Sequence, residues 1–241
     1  MPHPSVPICI LASQYFGWGI YGGFGSMSRM LAESLAASGL DVEVIVPRRK
    51  GQEPLEVING VRVRSFPVSR PHEAYRLIRS SQAKIFHSQD PTVLTAAARA
   101  IHAGRAHLVT CRDPRDLHDW WTEFLYATPT RRLLTPLNYL SESGPVIAAA
   151  VRRADRVYVP AHFLRTKVQR MFRLPDPAGF MPNLIEVPES VPPPRRTSGI
   201  CVRGAVGPAE AAGSVPRTRC GVSGLQVRCG RAGERICGEC P

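Results

Sequence analysis

Apolar and polar positions follow two periods along most of the chain, one suited to buried strands and one to helices lying against a sheet. Pro7 to Ser13 (PICILAS) is a continuous apolar run, as expected of a strand covered on both faces. A glycine-rich turn, Gly17 to Gly25 (GWGIYGGFG), follows it. The next segment is predicted to be a helix from Ser26 to Ser38, with Met27, Met30, Leu31, Leu35 and Ala36 on its apolar stripe and Gly39 as its stop. Val42 to Val46 is the next strand, which completes a β-loop-α-β unit of the kind that winds right-handedly into parallel sheets.

Leu55 to Ile58 and Val61 to Phe66 flank Asn59-Gly60, a strong hairpin signal because both residues tolerate positive φ. The alternation resumes with a helix from His72 to Ser80, a strand from Lys84 to His87, a helix from Thr92 to His102 and a strand from His107 to Cys111. A helical stretch through Trp120 to Tyr126, one long helix from Leu133 to Arg153, a strand from Arg156 to Val159 and a helix from Ala161 to Phe172 complete it. Pro182-Asn183 opens an extended exit that contains Pro188. The pattern predicts an α/β fold: a single Rossmann-like parallel sheet with an inserted β-hairpin and no internal repeat.

Composition changes the picture near Pro188. Residues 191–241 contain no Lys, Asp, His, Asn, Phe, Tyr, Trp or Met, yet hold five of the seven cysteines. The expected organisation is therefore a Rossmann-like domain over 1–189 and an irregular Arg/Gly/Pro/Cys tail over 190–241. The formal charge of +12 is shared between them: the tail carries eight Arg and three Glu, leaving 23 basic and 16 acidic residues before it. That excess favours anionic partners, whether phosphate, nucleotide or an acidic membrane surface. The basic residues are spread out and no aromatic stacking platform accompanies them, so nucleic acid is not expected. No apolar run approaches the roughly 18 residues that cross a bilayer. The N-terminus lacks a basic flank and reads as a first strand. Cys9 and Cys111 lie inside predicted strands, which fits buried thiols in a reduced, cytoplasmic setting. Cys220, Cys229, Cys237 and Cys240 end in a C-x-x-C that suggests zinc, but little apolar material surrounds them to fold around it. Neither a metal nor a cofactor is expected.

Ligands of open parallel sheets sit beyond the carboxyl ends of the strands, which directs attention to the residues just after each strand. After the first come Gly22, Gly23 and Phe24, where the backbone could approach a diphosphate closely, or where a tight turn needs glycine for sterics alone. After Lys84 to Phe86 come His87, Ser88, Gln89, Asp90 and Pro91, a polar cluster followed by a helix start; His87 itself is either a site residue or a satisfied structural histidine. Arg112 and Asp113 repeat the design one strand later, with Arg112 available to phosphate or carboxylate, or paired with Asp113 or Asp116. Arg165, Lys167, Arg170 and Arg173 share a helix with Phe163, Leu164, Val168 and Met171, which gives either a membrane-surface face or a solvated outer face on an ordinary amphipathic helix.

The glycine pair after the first strand, the hairpin INGVRVRSFP (Ile58 to Pro67), the strand KIFHSQDP (Lys84 to Pro91) and the exit MPNLIEVP (Met181 to Pro188) together resemble the N-terminal half of glycosyltransferase family 4. The resemblance covers about residues 7–189. It implies a retaining glycosyltransferase of the GT-B architecture, with two Rossmann-like domains facing each other across a cleft. The N-terminal domain would receive a sugar or lipid-linked acceptor, and the C-terminal one would bind a nucleotide-diphosphate sugar. By this resemblance Gly22, Gly23 and Phe24 approach the donor diphosphate, while His87 and Gln89 face the reacting sugar and Asp90, Arg112 and Asp113 contact acceptor or phosphate. Many members carry H-x-H in the loop after this strand, and Gln89 stands here at the second position, leaving His87 as a substitute or as a structural residue. A cytoplasmic enzyme with peripheral membrane contact is the implied setting. The rival reading is a stand-alone Rossmann-like module that binds a phosphate-bearing ligand or a protein partner.

The resemblance implies a donor domain after the exit, opening with a strand and a basic motif, and residues 191–241 contain neither. Gly204 to Gly213 (GAVGPAEAAG) can be encoded GGC GCG GTG GGA CCC GCG GAA GCG GCC GGA. With an Arg203 codon ending in GT, the neighbouring register reads VARWDPRKRP, and Ile200 and Cys201 permit SAF before it. FVARWDPRKRP resembles the opening of the family's donor domain. The expectation is a frameshift near residues 190–200 that replaces the donor half, leaving a truncated and inactive enzyme.

Overall fold

The computed structural model describes residues 6–15 and 23–185. The chain divides into two units, Met1–Glu186 and Val187–Pro241, and every described residue belongs to the first. Strand β1 (Pro7–Leu11) lies inside an eight-stranded sheet. Helix α1 (Gly23–Ala37) leads to β2 (Asp41–Pro47), which pairs in parallel with β1. β3 (Leu55–Ile58) and β4 (Val61–Phe66) form the expected antiparallel hairpin; β4 joins β2 in parallel and β3 takes the edge. Asn59 at φ 48° and Gly60 at φ 81° make the turn with the left-handed geometry that suits twisted strands.

After α2 (Pro71–Ser80) the chain returns to the other side of β1, where β5 (Ile85–Ser88) pairs with it in parallel. The sheet then grows outward through α3 (Val93–Ile101) and β6 (Ala106–Thr110), then α4 (Leu117–Tyr126), α5 (Pro129–Glu142), α6 (Pro145–Arg152) and β7 (Arg156–Val159). It ends with α7 (Leu164–Phe172) and a two-residue strand, β8 (Gly179–Phe180). The strand order is β3-β4-β2-β1-β5-β6-β7-β8. This is the Rossmann-like α/β sheet with an inserted hairpin that the alternation predicts.

Side-chain alternation in β1 builds both faces. Ile8, Ile10 and Ala12 pack with Val42, Val44, Val46, Val61 and Val63 under Ala32 of α1. Cys9 and Leu11 point the other way, among Ile45, Phe86, Ala74 and Ile78 of α2, and Ala98 of α3. Further along, Val109 and Val159 are covered by Ile147 and Val151 of α6 and by Val168 and Phe172 of α7. Continuous apolar strands are thus explained by burial on both sides.

Two expectations need correction. The single helix expected over Leu133 to Arg153 is two, because Pro145 cannot donate into a continuing helix and instead opens α6 at its first turn. Gly144 joins them so closely that a Cβ there would lie 2.5 Å from the Leu140 carbonyl oxygen. β1 also stops at Leu11, short of Ser13, while α1 begins at Gly23 and not at Ser26. β8 was not foreseen; two residues carry no periodicity to read.

Gly144→Ala is expected to lower unfolding free energy by about 1–3 kcal/mol, since a main-chain atom and no flexible side chain must give way. A shift of the urea midpoint at unchanged slope would verify it; an unshifted midpoint would show that the α5–α6 corner relaxes freely.

Candidate functional site at the carboxyl ends of β1, β5 and β6

Strand order reverses at β1: the connection from β1 runs to β2 on one side, and that from β5 to β6 on the other. α1 and α3 lie on opposite faces of the sheet, the arrangement that in open α/β sheets places a ligand crevice beyond the carboxyl ends of the strands, here β1 and β5. The main-chain N–H of Gln89 donates to the Leu11 carbonyl at 2.9 Å, which extends the β1–β5 ladder one step to the crevice floor.

Gln89 is 1% exposed. Its Oε1 accepts a hydrogen bond from Arg112 Nη2, and its Nε2 has no partner. The Arg112 guanidinium also donates from Nη1 to the Phe24 carbonyl at 3.3 Å, while its buried Nε has no partner and the side chain makes no ion pair among the described residues. Desolvation lowers its pKa, opposed by Asp90. Gln14, three residues past β1, contributes a third orphan, its Oε1. Each buried polar atom left unpaired costs about 1–3 kcal/mol. The Gln89 and Arg112 donors lie together at the ends of adjacent strands, where a polar ligand or water would complete them.

The Arg112 N–H donates to Asp90 Oδ1 at 3.2 Å. Burial nevertheless pushes the Asp90 carboxyl up to about 7, against the Arg112 N–H and guanidinium and with help from Asp113 and Glu142. Asp90 is therefore poised between its two protonation states near neutrality.

His87 lies within β5 and not in the loop after it, paired in register with Ile10 and Leu108. It is 5% exposed, and its Nε2 shares a hydrogen bond of 2.8 Å with Thr110 Oγ1. Burial, reinforced by Arg112, lowers its pKa to about 4, so the ring is neutral at physiological pH. Asp113 turns away from Arg112 and pairs with Arg115 at 2.9 Å, while Asp116 caps α4 by accepting from the N–H groups of His118 and Asp119. Neither pairing foreseen for Arg112 with these two residues forms.

Gly22 lies outside the described residues. Gly23 opens α1, and a Cβ built on it would meet nothing within 4 Å. Among the described residues, therefore, sterics do not demand glycine at this position. Phe24 is 37% exposed and reaches the cluster through its carbonyl. On α7, Val168 and Phe172 are in the core, Lys167 bonds Asp119 at 2.6 Å, and Arg165 donates to the Ala178 carbonyl at 2.7 Å. This helix is an ordinary amphipathic cover of the sheet. Cys220, Cys229, Cys237 and Cys240 lie outside the described residues, among which no His, Cys, Asp or Glu group could hold a metal ion. No described helix is long and apolar enough to cross a membrane.

Gln14 escaped the reading of the sequence. Its signal is positional: Gln14 is a polar residue directly after the apolar run of β1 and before the glycine-rich turn.

The domain is a Rossmann-like α/β sheet with polar residues gathered at its switch point. The sequence pattern of the Glycosyl transferase 4-like domain matches residues 22–183, more than half of the chain, and the chain belongs to that family. Among solved structures, the catalytic domain of starch synthase IV from Arabidopsis thaliana, bound to ADP and acarbose, is similar at 12% identity and a TM-score of 0.46. The match covers 75% of this chain and 52% of that one, so the chain spans about half the length of this relative. A DNA/pantothenate metabolism flavoprotein from Streptococcus pneumoniae is similar at 8% identity and a TM-score of 0.34, over 66% of this chain and 82% of that one. No curated protein matches the sequence.

Asp90 gives a pH signature. Its folded pKa of about 7 stands above the ordinary 3.8, so the folded state keeps a proton that the unfolded state loses. The stabilisation is complete below about pH 4 and disappears as pH rises through 7. Relative to Asp90→Asn, the parent is expected to lose stability across that window in urea melts; parallel profiles would place Asp90 in an ordinary solvated site. Gly23→Ala is expected to leave the melting midpoint unchanged within about 0.5 kcal/mol, and a large loss would restore the steric explanation of the glycine.

Proposed function

We propose that residues 7–185 are the acceptor-side half of a retaining glycosyltransferase that uses a nucleotide-diphosphate sugar. The observation that carries this reading is the convergence of the unpartnered Gln89 Nε2 and Arg112 Nε beyond the ends of β5 and β6, beside the start of α1. Sugar transfer from such a donor builds negative charge on the departing diphosphate, which fixed donors and cations stabilise. Gly22, Gly23 and Phe24 would bring main-chain N–H groups of the α1 N-terminus towards that diphosphate. Arg112 would add a cation, already held by Gln89 and Phe24. Gln89 would hydrogen-bond the reacting sugar through its free amide, and Asp90 would bond a sugar or acceptor hydroxyl. His87 would act from within the sheet as a positioning residue, its neutral ring fixing Thr110 beneath the loops that carry Gln89 and Arg112. Asp113, turned to Arg115, would lie at the margin and contact the acceptor only after breaking that pair.

The donor half of the cleft is the second part of the proposal. The absence of Lys, Asp, His, Asn and all aromatic residues from 191–241, together with the FVARWDPRKRP reading in the neighbouring register, supports out-of-register translation of a donor domain. In that case the 241-residue chain transfers no sugar, having neither the donor carboxylates nor the remaining cations.

Sequencing the gene across codons 185–245 tests the register directly: a second Rossmann domain should open in a neighbouring frame, and its absence from every frame refutes the truncation. The 241-residue product is expected to release no nucleoside diphosphate from sugar donors, whereas the frame-restored product does. In the latter, Arg112→Ala should lower kcat/KM at least about tenfold, or 1.4 kcal/mol of transition-state stabilisation. An unchanged kcat/KM would remove Arg112 from the site.

A further inference from the structure

The α4–α5 hairpin is folded with its amphipathic sense reversed. On α4 the carboxylates face the protein: Asp119 bonds Lys167 at 2.6 Å and Glu123 pairs with Arg115 at 2.6 Å. Trp120 also faces inward, 4% exposed, donating from Nε1 to Ser143 Oγ at 3.1 Å and meeting the Tyr139 ring edge-on. That leaves Leu117, Trp121 and Leu125, spaced four apart, turned outward at 70%, 59% and 47% exposure. α5 repeats the arrangement: Leu133, Leu137 and Leu140 are 82%, 62% and 53% exposed. The helices run antiparallel, with Trp120 against Tyr139 and Ser143 near one end and Arg132 Nη2 donating to the Leu125 carbonyl at 2.5 Å near the other. Stripes at i, i+4 and i+7 or i+8 ordinarily face a core. Here both are uncovered among the described residues.

The chemistry around the stripes selects their cover. The exposed residues of α4 (Leu117, His118, Trp121, Thr122, Leu125 and Tyr126) include no carboxylate. Arg131 and Arg132 open α5 beside Leu133, both exposed, and the one carboxylate of α5, Glu142, is at its far end. Trp121 and Tyr126 have the apolar body and polar tip that settle at headgroup depth. Leucines and an aromatic pair flanked by two arginines, with the α4 carboxylates held in ion pairs, complement a surface that is apolar within and anionic at its rim. We infer that the α4–α5 hairpin seats this protein on an anionic lipid surface, immersing its leucines among the acyl chains while Arg131 and Arg132 meet the headgroups. This differs from the membrane contact read from the basic helix in the sequence, since α7 spends its apolar residues on the core. It does not depend on sugar transfer and stands or falls separately.

The test is co-sedimentation of the full 241-residue chain with vesicles of phosphatidylcholine alone and of phosphatidylcholine mixed with phosphatidylglycerol. Binding to the mixed vesicles is expected, and the exposed double substitution Leu133→Ser with Leu137→Ser should weaken it at least about tenfold. Bromine-labelled acyl chains should also quench part of the parent's tryptophan emission, and Trp121→Phe should abolish that quenching. Three results overturn the inference. One is failure to sediment with mixed vesicles. Another is equal sedimentation of parent and double variant, which places the binding on charge elsewhere, such as the arginines of 191–241. The third is a lipid-indifferent dimer that the double variant dissociates, which gives the face to a second copy of the chain.

Discussion

Parallel pairing of β1 with β2 on one side and β5 on the other governs both the stability and the chemistry of this domain. A strand in that position is covered on both faces, which explains why PICIL is apolar without alternation and why Cys9 and Ile10 are both fully buried. The same position sends the chain away from β1 in two directions, so α1 and α3 lie on opposite faces of the sheet, the arrangement that opens a crevice beyond the strand ends in folds of this kind. Polar side chains can be buried there only if neighbours or a ligand complete their hydrogen bonds. Gln89 and Arg112 complete each other in part and leave one donor apiece unused. The crevice is thus a consequence of topology, and its unused donors are a consequence of which residues fall at its edge.

Much of the fold was legible because burial on both faces writes continuous apolar runs, and because Asn59-Gly60 can hardly be anything but a tight turn. The α5–α6 break was misread for a local reason: apolar residues continue at helical spacing through Val146 to Val151, and Pro145 at a first turn looks like a proline inside a helix until the Gly144 corner is seen. The exposed leucines of α4 and α5 were invisible for a different reason. Helical periodicity shows that a stripe exists, but it does not say which side of the helix the protein occupies. The inward partners of Asp119 and Glu123, namely Lys167 and Arg115, come from other parts of the chain and reverse the usual assignment.

At the site, the strand-end rule located Gln89, Asp90 and Arg112, yet it left His87 open between a site residue and a structural one. The distinction is chemical. A histidine at 5% exposure, bonded to Thr110 and held neutral by burial, lies within the sheet, whereas Gln89 and Arg112 follow the strand ends and keep unused donors. Family membership is carried by residues 22–183.

An amide chemical-shift titration of the isotope-labelled 241-residue chain with a nucleotide-diphosphate sugar tests the crevice most directly. The account predicts shifts concentrated at Gly23, Phe24, Gln89, Asp90 and Arg112, with the Gln89 side-chain amide among the largest. A titration that leaves these resonances unmoved while others shift, or that moves none at millimolar ligand, would contradict it.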